Sequence, residues 1–129
     1  MIKVWTNGCF DVLHRGHIEL FKYAKSLGDI LIVGIDTDAK IRTDKGKGRP
    51  IHTLEDRIEM LNSIKYIDEV LQFNTTNELR NLVRVTLPDI MVVGSDWKNG
   101  QVIGREFTKE LKFFDRVGDY STTKIMEAW

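Results

Sequence analysis

Short runs rich in β-branched residues alternate along the chain with segments whose apolar residues recur every three or four positions. Ile2 to Thr6 reads as a first strand. His17 to Leu27 reads as a helix, with Leu20, Phe21, Ala24 and Leu27 on one face and Gly28 as its stop. Ile30 to Ile35 is nearly all apolar, as expected of a strand covered on both faces of a parallel sheet. Thr53 caps a further helix, with Asp56 in a capping-box position and Leu54, Ile58, Leu61 and Ile64 facing inward. A short strand at Val70 to Phe73 precedes a helix capped by Asn77, which carries Leu79, Leu82, Val83 and Leu87 and is broken by Pro88. Ile90 to Val93 makes the fourth strand. A helical piece around Glu106 to Leu111 leads to a fifth strand at Lys112 to Arg116, and a last helix runs from its cap, Ser121, to Trp129.

This order predicts an α/β fold: a single doubly wound, Rossmann-like domain over residues 1–129, with a five-stranded parallel sheet flanked by helices. Such sheets bind ligands at the carboxyl ends of their strands, beside helix N-termini, so functional residues are expected just after strands. A length of 129 residues suffices for a core without disulfide or metal staples. Lysine plus arginine balances aspartate plus glutamate at 19 each, so no bulk field draws nucleic acid or an anionic membrane, and any phosphate site must be built locally. The apolar runs are strand-sized, too short to span a bilayer, and no charged leader precedes a long apolar stretch. With a single cysteine, Cys9, these features point to a cytoplasmic protein. The one shift in composition is the basic, glycine-containing stretch from Arg42 to Pro50, read as a loop.

The first candidate for chemistry is Asn7-Gly-Cys-Phe-Asp-Val-Leu-His-Arg-Gly-His17, which runs from the first strand into the first helix. Gly8 permits a tight turn and Gly16 a close backbone approach to a ligand. His14 and His17, three residues apart, can share a pocket where the helix offers N–H groups and partial positive charge to a phosphate. A capping or packing role is the plain alternative, and a zinc site a second one, although the HExxH pattern is missing and Cys9 and His52 are not at ligand spacing.

Gly8-Cys-Phe-Asp-Val-Leu-His-Arg-Gly-His17 resembles the G-x-F-D-x-x-H-x-G-H signature of the cytidylyltransferase-like nucleotidyltransferase superfamily, matching every fixed position. Ser121-Thr-Thr-Lys-Ile125 resembles its second signature, at the start of the last helix. The resemblance implies that a substrate phosphate attacks the α-phosphorus of a nucleoside triphosphate, carried with Mg²⁺, and that pyrophosphate leaves. A phosphate monoester has a second pKa near ~6 and is already an anionic nucleophile, so no general base is needed. In-line positioning and stabilisation of charge on the phosphoryl oxygens remain, and His14 and His17 can supply the donors.

In the related enzymes a lysine of the basic loop reaches the phosphates, which singles out Lys45 or Lys47, on a loop able to close as a lid; a solvated basic face is the alternative. Arg57 stands where the family carries an arginine, with a surface salt bridge as its plain reading. Gly94-Ser-Asp-Trp97 follows the fourth strand: Trp97 could stack on a base or only cover a helix end, and Asp96 could bind a base amino group or a ribose hydroxyl. Arg116, Ser121 and Thr122 are expected at the triphosphate, and Thr123 near the substrate. Cys9 and Phe10 lie in the nucleotide-binding turn, Cys9 without a nucleophilic role, and Asp11 shapes that turn or touches substrate.

Two subfamilies compete. Gly94-Ser-Asp-Trp97 with Arg116 before Ser121-Thr-Thr resembles glycerol-3-phosphate cytidylyltransferase, which uses CTP; Lys45-Gly-Lys-Gly-Arg-Pro50 and Leu87-Pro-Asp-Ile90 resemble the adenylyltransferase of ADP-heptose synthesis, which uses ATP and a heptose 1-phosphate. The heptose type usually carries a lysine where this chain has Val93, whereas Val117-Gly-Asp-Tyr120 departs from the glycerol type. The balance favours CTP with a small phosphorylated acceptor such as glycerol 3-phosphate, with the ADP-heptose type or a non-catalytic nucleotide-binding module as alternatives. Relatives of this kind are commonly homodimers.

Overall fold

Five strands, β1 (Lys3–Gly8), β2 (Ile30–Asp36), β3 (Glu69–Phe73), β4 (Ile90–Gly94) and β5 (Glu110–Phe114), form one parallel sheet in the order β3-β2-β1-β4-β5. Helices α1 (Arg15–Ser26), α2 (Asp38–Lys45), α3 (Leu54–Asn62) and α4 (Thr76–Thr86) make the crossovers, and the alternation of apolar patterns predicts all of them but α2. The computed structural model describes residues 1–115. The helix expected over 121–129, Arg116, Ser121, Thr122 and Thr123 lie outside the described residues, as does the side chain of Asp96.

The apolar strand residues divide between two cores. Val4, Leu31, Val33, Ile35, Ile90 and Val92 pack with Phe21 and Ala24 of α1 and Leu61 of α3. Trp5, Ile32 and Met91 pack with Leu79 and Val83 of α4, Phe73 and Val102. A strand with helices on both sides has no polar face, which explains the unbroken apolar run of β2.

The strand order reverses between β1 and β4, and pairing there is short. β1 pairs with β2 over six residues, Lys3 to Gly8, but with β4 only through Val4↔Ile90 and Trp5↔Met91. The ends of β1 and β4 therefore part, and the crevice opens between Thr6–Gly8 and Val92–Gly94.

Several expectations are corrected. The stretch from Arg42 to Lys45 is the last turn of α2, capped by Thr37 and anchored by Ile41 alone, so its apolar pattern was too thin to register. The cap of α4 is Thr75, not Asn77; its hydroxyl accepts from the Glu78 N–H at 3.1 Å. Leu87 is not on the buried face: it ends α4 in a left-handed conformation (φ 48°) and is exposed, because Pro88 follows it. The helix expected at Glu106 to Leu111 shrinks to a 3₁₀ turn, Arg105–Phe107, and the fifth strand begins at Glu110, two residues earlier than expected.

Candidate active site

The two histidines form a reciprocal cap on α1. His14 is the N-cap residue, and its Nδ1 accepts from the Gly16 N–H at 3.1 Å. His17 Nδ1 in turn accepts from the His14 N–H at 3.2 Å, so imidazoles play both parts of a capping box. The rings stack with centroids 3.9 Å apart. Burial, and then the neighbouring His14, lower the pKa of His17 to about 4. His17 is therefore neutral at physiological pH, and a neutral ring that accepts at Nδ1 carries its proton on Nε2. Capping and donation to a ligand thus use opposite nitrogens of one ring, and the two readings of the pair are compatible.

Ahead of this cap the chain makes a strained turn. Phe10 is buried at φ 46°, a left-handed conformation that costs a branched or bulky residue roughly 1–2 kcal/mol. Its ring sits edge-on to His17 (centroids 5.4 Å apart) and to Phe21 (5.1 Å), and passes under Gly8, where a Cβ would lie 3.1 Å from the ring. A side chain at Gly8 would have to displace the Phe10 ring by a few tenths of an ångström.

Asp11 holds the turn to the chain after α2. Its carboxylate accepts from the backbone N–H groups of Ile51 and His52 at 2.8 Å each, and from Arg49 Nε at 2.8 Å. Burial alone would raise its pKa, but these donors outweigh burial and hold it below the usual carboxylate range. The side chain has no exposed surface, so in this conformation it shapes the turn and does not reach a substrate.

Arg57 departs further from its plain reading. It is 1% exposed, not a surface residue. Its Nε donates to the His52 carbonyl, one terminal nitrogen donates to the carbonyls of Cys9 (2.9 Å) and Asp36 (2.7 Å), and the other donates to the Asp38 carboxylate (2.7 Å). All three nitrogens are engaged within the protein. Arg57 therefore positions the ends of β1 and β2.

A cavity of about 470 Å³ lies at the carboxyl ends of the strands. Of the residues expected at the site, Gly8, Cys9, Lys45 and Trp97 line it. Trp97 is about half exposed at the rim. His14, His17, Phe10 and Gly16 stand beside it at the turn and helix start without lining it, and the Gly16 N–H is taken by His14. Lys47 is in the exposed turn after α2 and does not line the cavity. Among the described residues no group of three or more His, Cys, Asp or Glu could hold a metal ion, and no helix is long and apolar enough to cross a membrane.

Sequence reasoning missed Asn7, Asp36, Lys40 and Asp44, which also line the cavity. Asn7 is the last residue but one of β1 and Asp36 the last of β2, where the rule of strand ends could have found them. Asn7 is oriented by Trp5, whose indole N–H donates to its Oδ1 at 2.9 Å. An indole N–H only donates, so the amide oxygen must face Trp5 and the NH₂ faces away.

A doubly wound sheet, a turn strained at Phe10 and an imidazole cap beside a strand-end cavity define a nucleotide-handling α/β protein. The Cytidylyltransferase-like family profile matches residues 5–128, and the chain belongs to that family of nucleotidyltransferases. Among its relatives, the Bifunctional protein HldE of Campylobacter fetus subsp. fetus (strain 82-40) is 42% identical over 123 residues, 95% of this chain and 27% of that protein. The Bifunctional protein HldE of Helicobacter pylori (strain Shi470) is 44% identical over 96% of this chain and 27% of its own length. The chain thus spans about a quarter of the length of the curated relatives it matches. The crystal structure of the lipopolysaccharide core biosynthesis protein from Thermoplasma volcanium GSS1 superposes with a TM-score of 0.74 at 29% identity, covering 94% of this chain and 99% of that one.

Proposed function

We propose that this chain transfers an adenylyl group from ATP to a heptose 1-phosphate. An acceptor phosphate oxygen forms a bond to the α-phosphorus, the bond to the bridging oxygen breaks, and its electron pair leaves with pyrophosphate. The observation that carries the reaction type is the imidazole cap: Nδ1 of each ring accepts from a backbone N–H at the start of α1, so each ring carries its donating proton on Nε2, suited to phosphoryl oxygens. Lys45, at the cavity, adds positive charge, and Trp97 offers a face for the base. Lys47, Asp96, Arg116, Ser121 and Thr122 are proposed as further nucleotide contacts, and Thr123 as a substrate contact. Mg²⁺ enters with the triphosphate, coordinated through phosphate oxygens.

Similarity to the HldE proteins supports ATP and heptose 1-phosphate, the pair implied by the segments Lys45–Pro50 and Leu87–Ile90. The lipopolysaccharide core protein is in keeping with a sugar acceptor. This reverses the balance drawn from the sequence alone, in which CTP and glycerol 3-phosphate came first. That second reading still has Val93 in its favour, which stands where the heptose type usually has lysine. We further propose a cytoplasmic homodimer.

The test is pyrophosphate release by the purified chain with ATP or CTP, Mg²⁺ and either heptose 1-phosphate or glycerol 3-phosphate. Release with ATP and heptose 1-phosphate supports the proposal, and release only with CTP and glycerol 3-phosphate supports the second reading. Nucleotide binding without release from any pair would mark a non-catalytic binding module.

A further inference from the structure

The walls of the cavity differ in chemistry. On the β4 side stand Val93, Trp97 and Ile103, suited to a flat base. On the β2 side stand Asp36 and Lys40, with Asp44 beyond them. Asp36 is the last residue of β2, and its carbonyl is held by Arg57 at 2.7 Å, so its backbone is fixed. One helical turn on, Lys40 Nζ lies 3.8 Å from the Asp36 carboxylate and 2.5 Å from that of Asp44. The Lys40 contact to Asp36 is ionic and too long for a hydrogen bond. No described residue donates a hydrogen bond to the Asp36 carboxylate, although its side chain is only 15% exposed and lines the cavity.

Such a group destabilises the fold. Burial, despite the attraction of Lys40, raises the pKa of Asp36 above the usual carboxylate value. A nearly buried carboxylate without donors is a cost unless a ligand supplies them. The chemistry that does so is a hydroxyl pair on a polyol, with Lys40 alongside to offset the charge of a nearby phosphate.

We propose that Asp36 is the specificity-determining residue of the acceptor subsite, accepting hydrogen bonds from sugar hydroxyls of the phosphorylated acceptor. This rests on the sugar-phosphate reading above and adds to it the residue that selects the acceptor. With the base on the β4 wall, the β2 wall across the cavity is left to the acceptor. The ribose of the nucleotide carries the same hydroxyl chemistry, so the test separates the two.

Heptose 1-phosphate is titrated calorimetrically into the full chain and into Asp36→Asn and Asp36→Ala, in the presence of a non-hydrolysable ATP analogue. The analogue is titrated alone in parallel. The expected result is at least about tenfold weaker binding of heptose 1-phosphate in both variants, with analogue affinity within about twofold. The melting temperature of Asp36→Asn should be unchanged or higher, since a partly buried charge without hydrogen-bond donors has been removed. Unchanged heptose 1-phosphate affinity would overturn the proposal. So would a loss confined to the analogue, which would assign Asp36 to the ribose, or a fall in melting temperature, which would make the residue structural. Binding is read without turnover, so a wild-type protein that binds the sugar phosphate in an Asp36-dependent way but releases no pyrophosphate refutes the transfer reading alone.

Discussion

The Arg57 guanidinium donates to the Cys9 carbonyl at 2.9 Å, joining residues 48 positions apart. The same nitrogen donates to the Asp36 carbonyl at 2.7 Å, so one buried cation ties together the ends of the two strands that floor the cavity. The Asp38 carboxylate balances its charge. Removing the cation leaves the carbonyls of His52, Cys9 and Asp36 and the Asp38 carboxylate without that donor.

Arg57→Ala is therefore expected to cost about 3–5 kcal/mol, the range for breaking a buried ion pair by deleting one partner. Urea unfolding measures this directly. Arg57→Lys should recover little, because one ammonium cannot reach His52, Cys9, Asp36 and Asp38 together. A loss below about 1 kcal/mol for either variant would contradict the clamp.

His17 makes stability depend on pH in a specified direction. Its pKa is about 4 in the fold against 6.5 for the ordinary group, so the unfolded chain binds more protons between these values. Stability from this source is complete above about pH 6.5 and declines as the pH falls toward 4, by on the order of 3 kcal/mol. Comparison of urea midpoints at pH 7 and pH 4.5, for wild type and His17→Gln, isolates the effect. The variant should lose less stability on acidification, and NMR titration of the wild type should find His17 uncharged at pH 5.5.

Gly34 is a third test, this time of packing. A Cβ there would lie 2.6 Å from Trp5 Cζ2, and Trp5 orients Asn7 at the cavity. Gly34→Ala should cost about 1–3 kcal/mol through overpacking. It should also weaken nucleotide or acceptor binding through Trp5 and through the cavity-lining Asn7, whose Cβ would lie 3.2 Å from the added methyl. Wild-type melting temperature and binding would show that Trp5 yields at no cost.

The sheet was legible because each strand is a short apolar run whose helices carry a clear inner face, as in Leu79, Leu82 and Val83 of α4. α2 was not, since one buried residue, Ile41, anchors it and its remaining residues other than Ala39 are polar. The histidine pair was legible from its place between strand and helix. Its bonding was not, because which nitrogen accepts depends on the geometry of the cap. Arg57 reads in sequence as one charge among Glu55 and Asp56, and only the fold brings Cys9 and Asp36 to it. Asp36 was hidden differently: it ends β2 as a single polar residue after an apolar run, and polar residues commonly mark the start of a loop.

The most direct test of the phosphate-donor role is turnover and nucleotide affinity measured on the same His17→Ala protein. Pyrophosphate release under saturating ATP and heptose 1-phosphate is predicted to fall by about 10²-fold or more, as for loss of one transition-state donor, while the dissociation constant for an ATP analogue changes far less. Wild-type-like turnover in a folded His17→Ala protein would contradict the account.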